Sequence, residues 1–264
     1  MRYITIVILS FLLTALYSCN SNDQKADPAL NKKATISVKD STFNEFVKRN
    51  VESALKINAS EEYDFQIKTT FINRDTIKDA VILVNRKEHA LEKAKRDGNL
   101  KFLEKMGYTG LHNHVFVFLG GTNELLQTAP VGSNIHHPLT VFFESITKPS
   151  HTDFYVEYRN RNSMYRNYYT VRGNKIYLTL NCPVFDLIGE KEPKAYAIKH
   201  KESKVRTAKD IAIFEGSIAN YDPDEIADIN NFYPDSIIPS DELIVYFIYD
   251  EKANAYVTPM RPDE

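Results

Sequence analysis

Seven histidines punctuate a chain of 264 residues, and several stand where side chains of two kinds could share a proton or an ion. His112-Asn113-His114, His136-His137 and His151 followed by Asp153 bring imidazoles and a carboxylate into one stretch of sequence. Residues two apart on a strand face the same side, so His112 and His114 have the spacing to chelate. With His136, His137 and Asp153 they form the nitrogen and oxygen donor set that zinc takes in metal-assisted hydrolysis. Against this, the chain has no His-Glu-x-x-His sequence and no cysteine pair. Loop or strand-edge histidines that bond backbone account for the same residues. No Gly-x-Ser-x-Gly, phosphate loop or dinucleotide fingerprint is present, and no catalytic residue is assigned.

A second donor set lies in the segment Phe71 to Val81, where Asn73, Asp75 and Asp79 alternate with other residues between two apolar runs. This segment resembles a degenerate copy of the Asp-rich strand–loop–strand motif of FG-GAP and VCBS-type repeats. The resemblance implies calcium held by the oxygens of Asn73, Asp75 and Asp79. The chain departs from the motif at Phe71, which replaces an acidic residue, and at Arg74 and Thr76, which replace glycines. Read from the residues alone, Asp75 and Asp79 bond loop amides and fix a hairpin. A single copy is inconsistent with a propeller, which needs repeated blades. No cofactor is expected; calcium and zinc are the ions that the two donor sets would take.

Arginine and tyrosine interleave from Tyr155 through Arg159, Arg161, Tyr165, Arg166, Tyr168 and Tyr169 to Arg172 and Lys175. Charge and stacking together suit anionic glycans or headgroups, while the plainer reading is the solvated face of a sheet. From Asp210 to Glu251 there is no Lys or Arg, and Asp222, Asp224, Glu225 and Asp228 cluster in what reads as a short helix with an acidic first turn. The formal net charge of -2 gives no bias toward nucleic acid, and none is expected as a partner. Cys182, in a strand-like stretch, reads as a small core residue.

The elements that must position these residues are legible from periodicity. Phe43, Phe46, Val47, Val51, Ala54 and Leu55 recur at helical spacing, with Thr42 and Glu45 spaced as a capping box. Tyr63 to Phe71 alternates as a half-buried strand, and Ala80 to Val84 is a continuously apolar one. Helical spacing returns from Lys87 to Met106, is interrupted near Asp97-Gly98, and stops at Gly107. Strand signals follow at His114 to Leu119, Leu139 to Ile146, Phe154 to Tyr158, Tyr168 to Val171, Ile176 to Leu180, Ile211 to Phe214 and Leu243 to Tyr249. Gly120-Gly121-Thr122-Asn123 reads as a turn, and Arg172-Gly173-Asn174-Lys175 as a tight hairpin. Early helices and late strands predict an α+β fold, a mainly antiparallel sheet with N-terminal helices packed on it.

The chain opens with Met1-Arg2, an apolar run from Ile4 to Leu16, and Leu16-Tyr17-Ser18-Cys19. This resembles a type II lipoprotein signal of Bacteroides-like bacteria, which implies that residues 1–18 are removed and Cys19 is lipidated. Several acyl chains on Cys19 would hold the protein to a membrane durably. Asn20 directly after Cys19 implies, by the same resemblance, the outer membrane of the cell envelope. Residues 19–38 are polar and aperiodic and read as a tether, and 39–264 as one globular domain. Asp40-Ser41-Thr42, Asp75-Thr76-Ile77 and Asp235-Ser236-Ile237 resemble O-glycosylation acceptors of such bacteria, which implies glycans on Ser41, Thr76 or Ser236. The expectation is a lipid-anchored envelope protein with a non-enzymatic binding or structural role toward an envelope protein or glycan. The alternative is the metal-assisted hydrolase.

Overall fold

The first strands owe their places to period-two burial on both faces of a small sheet. The structure is a computed structural model that describes residues 40–187, 193–219, 221–226, 228–229 and 231–259. Helix α1 (Asp40–Leu55) precedes β1 (Asp64–Thr70) and β2 (Asp79–Asn85); α2 (Lys87–Arg96) and α3 (Leu100–Lys105) follow, then β3 (Thr109–Leu119), β4 (Glu124–Gln127) and β5 (Val131–Asn134). These five strands form one sheet in the order β1-β2-β3-β4, with β5 also on β3. Ala80, Ile82, Val84, Phe116 and Phe118 point to one face and share a cluster with Val47 and Val51 of α1. Phe43 and Phe46 meet the Phe118 ring edge-on at 5.5 and 5.8 Å, a geometry that aromatic quadrupoles favour. Thr42 is already helical, so it lies inside the helix and not at its cap.

The opposite face, Val81, Leu83, Val115, Val117 and Leu119, packs on the second sheet through Phe154, Val156, Tyr169 and Val171. That sheet has eight strands in the order β13-β12-β11-β10-β9-β8-β7-β6. They are β6 (Thr140–Glu144), β7 (Asp153–Asn160), β8 (Ser163–Arg172), β9 (Lys175–Asp186), β10 (Lys194–Lys201), β11 (Asp210–Ile218), β12 (Ile237–Asp250) and β13 (Ala255–Val257). Every pairing in the two sheets is antiparallel, as the late run of strand signals predicts. The described residues, from 40 to 259, belong to one compact unit. Gly173 (φ +54°) makes the β8–β9 hairpin, where a side chain would strain the left-handed turn.

The eight-stranded sheet is not evenly joined. β8 and β9 stay paired from Ser163↔Asp186 to Arg172↔Lys175, whereas among the described residues β9 and β10 share only Asp186↔Lys194 and Phe185↔Ala195. Past that point β10 turns across the other face of β6–β9. There Tyr168, Leu180 and Cys182 meet Ile211, Ile213, Tyr249 and Tyr256 in a second core. The expected acidic helix does not form: residues 223–225 are a turn, with the Asp222 carboxylate accepting from the Asp224 amide at 2.9 Å. Among the described residues no helix is long and apolar enough to cross a membrane.

Candidate ligand-binding cleft

Where β10 leaves β9 a cleft of about 610 Å³ opens over β7 and β8. That volume lies within the range of pockets that enclose small ligands. Its floor follows from strand register, since Glu157 stands opposite Arg166 on β7 and β8. Arg166 Nε and Nη2 donate to Glu157 Oε1 at 3.0 and 2.5 Å. The guanidinium lies 4.2 Å from the Tyr155 ring centre, and its Nη1 donates to the Tyr168 hydroxyl at 3.0 Å. The Arg–Tyr interleaving therefore lines the interior: Arg166, Tyr168 and Tyr169 are buried or nearly so, and Arg159 is 1% exposed. The solvated-face reading is overturned for Arg159, Tyr168 and Tyr169 and for the nearly buried Arg166, while Arg161 and Lys175 are exposed. Guanidinium groups are weakly hydrated and stack, so two of them are covered here by rings and carbonyls.

Behind the floor the bonds continue. The Tyr168 oxygen is 2.8 Å from His200 Nε2, and His200 Nδ1 is 2.6 Å from Glu144 Oε2. Burial opposes the Glu144 charge, but Lys209, bonded at 3.0 Å, and His200 outweigh it and hold the carboxyl below its ordinary range. An ionised Glu144 accepts from Nδ1–H, which leaves Nε2 to accept the Tyr168 O–H. Burial keeps His200 below the usual imidazole range despite Glu144. Five side chains from β6, β7, β8 and β10 thus satisfy one another, and Glu157–Arg166 is the end that reaches the cleft.

Met164, Val184, Ile198 and Ile237 give the walls an apolar character, with Tyr196 on one side and Tyr233 on the other. Residues Tyr233 to Ile237 belong to a strap leading into β12, and Arg159 fastens it. Its guanidinium donates to Phe232 O at 3.0 Å, Ile229 O at 3.3 Å and Arg161 O at 3.3 Å, and lies 4.8 and 5.2 Å from the Phe185 and Tyr233 ring centres.

Comparison with protein-family models, with curated proteins and with solved structures returns no match. The residues singled out by sequence take the following places. Asn73 Oδ1 accepts from the Asp75 amide and Asp75 Oδ1 from the Ile77 amide. Asp79, fully buried, accepts from Ile72 N at 2.8 Å and Gly120 N at 3.0 Å, so these carboxylates tie loops together. Gly120 permits this approach, because a Cβ there would collide with the Lys78 carbonyl. His112 faces His89 of α2 with ring centres 6.3 Å apart, while His114 lies buried beside Phe116. His136 packs edge-on to Tyr108, and His137 Nδ1 is 3.1 Å from the Tyr233 hydroxyl. Asp153 accepts from the amides of Ile146 and Thr147 and from the Thr147 hydroxyl. The structure does not bring His112, His114, His136, His137 and Asp153 together. Among the described residues no three His, Cys, Asp or Glu side chains converge as an ion would need.

Cys182 is buried in β9, where burial pushes its thiol up to about 12. Thr76 sits exposed with φ +61°, and Ser236 is exposed on the cleft rim. Cys19 and the Ser41 side chain lie outside the described residues. Sequence reasoning reached Glu157 and Arg166 within the Arg–Tyr stretch. It passed over Glu144, Tyr196, His200 and Tyr233, whose only signal is an aromatic or polar residue in a weakly patterned strand or loop.

Proposed function

We propose that this chain is a lipid-anchored protein of the cell envelope, held at the outer membrane through Cys19. Its globular part, residues 39–264, binds another envelope component, protein or glycan, in the cleft over Glu157 and Arg166, without turning it over. The architecture that serves this is α+β, with N-terminal helices covering the first sheet. The observation that supports binding is the pre-organised floor. Arg166 is locked by Glu157, Tyr155 and Tyr168 before any ligand arrives, so little rotamer entropy remains to be lost on binding. A photo-crosslinking residue at Tyr196, in the native host, is expected to give an adduct that the same residue at Lys175, on the exposed β8–β9 turn, does not. Equal labelling from both sites, or none from Tyr196, removes the cleft from the proposal. Cys19→Ser is expected to move the protein from the membrane to the soluble fraction, and unchanged fractionation would reject the anchor.

A further inference from the structure

The break between β9 and β10 leaves a strand edge facing the cleft. β10 pairs with β11 without interruption from Ala195↔Gly216 to Lys201↔Asp210. On its other side, among the described residues, it has no register partner after Ala195↔Phe185. Tyr196, Ala197, Ile198 and Lys199 all line the cavity. Successive side chains of a strand point to opposite faces, so four consecutive lining residues mean that the cavity runs along the edge of β10 and not merely over one face. The polar side chains at the floor are already engaged, Arg166 with Glu157 and Tyr168. Polar side chains also line the cleft at Tyr196, Asp235 and Ser236, but the feature that runs along its length is main chain. An extended peptide completes such an open edge and fills alternate pockets, which a sugar does not.

Charge narrows the class further. Glu157 and Arg166 cancel, and the Lys199 ammonium lies 4.7 Å from the Phe214 ring centre, where it neighbours Lys201. Two lining charges make no ion pair among the described residues, Lys199 on its ring and Asp235, and Asp235 is the acidic one, on a strap that carries no Lys or Arg. We propose that the cleft takes an extended peptide segment that adds as a strand to the edge of β10, apolar residues toward Met164, Val184 and Ile198 and a cationic residue toward Asp235. This rests on the reading of the cleft as the binding site and names its ligand class. The long outer edge of β12 is a poorer template, because Pro239 lacks a donor and the register against β11 shifts twice near Phe214.

The test uses the full chain in detergent micelles and a capped hexapeptide alternating lysine and valine, with fluorescence anisotropy and amide hydrogen exchange as readouts. Saturable binding is expected, with exchange slowed across Tyr196 to Lys199. N-methylating one alternate set of peptide amides is expected to weaken it about tenfold or more, and the other set less, since only one set faces the edge. Asp235→Asn is expected to weaken binding several-fold, with no effect on a peptide carrying norleucine for lysine. Equal tolerance of both N-methylated sets, protection of β12 instead of β10, or no protection by the peptide overturns the inference. Maltohexaose protecting the cleft where the peptide does not also overturns it, but leaves the cleft a binding site. The Tyr196 crosslink judges that reading separately.

Discussion

His114 is an imidazole folded into an apolar neighbourhood, with Nδ1 buried and no hydrogen-bond partner. Burial lowers it from 6.5 to about 4, with the Arg86 charge acting in the same direction. Between those values the unfolded chain binds a proton at this position and the folded chain does not, so the position destabilises the fold as pH falls from 6.5 to 4. The loss is on the order of 3 kcal/mol when complete, and the contribution is fully recovered above 6.5. His114→Leu is expected to remove that acid sensitivity. Urea unfolding at pH 7 and pH 4.5 should show the variant losing about 2 kcal/mol less than the parent across the interval. Equal losses would mean that water reaches the ring. The buried carboxylates follow the opposite plan: Asp79 and Asp153 are closed by backbone amides, as buried polar groups must be. Carboxylates already bonded in this way have little incentive to give up those amides for an ion.

At the scale of elements, β12 shows how an exposed edge is kept from templating another chain. From Ile237 to Phe247 it pairs, among the described residues, only with β11, and Ile238, Leu243 and Ile244 are about half exposed. Asp241 and Glu242 interrupt that apolar run on its solvent side, beside the register shifts. Asp241→Val with Glu242→Val is expected to make the protein self-associate, read as a sedimentation coefficient that rises with concentration while the parent's does not. Elements with strong periodicity were legible, α1, β2 and the β8–β9 hairpin among them. β5, β10 and β13 were not. β5 is Val131-Gly132-Ser133-Asn134, yet its polar residues are buried because Asn113 Nδ2 donates to Ser133 Oγ at 2.8 Å. β10 carries three lysines in eight residues, and its pattern has meaning only once Phe214 is beside Lys199 and Lys201. β13 is three residues long, too few to show a period.

Across the whole molecule, Arg159 couples distant parts. It stands at the end of β7, next to the sheet's last strand, and three carbonyls, two of them from the strap, and two rings close over it. Hydrogen bonds from a charged donor contribute about 1.5–3 kcal/mol each, so this contact holds the strap against β7 and β9 and sets the cleft's outer wall. Arg159→Met keeps most of the packing and removes the donors. Its expected result is faster limited proteolysis within residues 221–236, with the rest of the chain cleaved at the parent rate. Uniform acceleration along the chain would show a general loss of stability in place of a released strap.

By itself the sequence determined the antiparallel, β-rich character, because period-two patterning and turn residues act over neighbours and need no distant partner. Phe43 to Leu55 and Ala80 to Val84 state their structure locally. The cleft was decided by tertiary structure alone. Glu144, Glu157, Arg166, Tyr168 and His200 come from four strands, and nothing in their spacing says that β10 parts from β9 after one residue pair beyond Lys194 and crosses the sheet. Whether an arginine beside a tyrosine meets water or a closed network depends on the strand that folds over it, and that strand lies about thirty residues away in the chain.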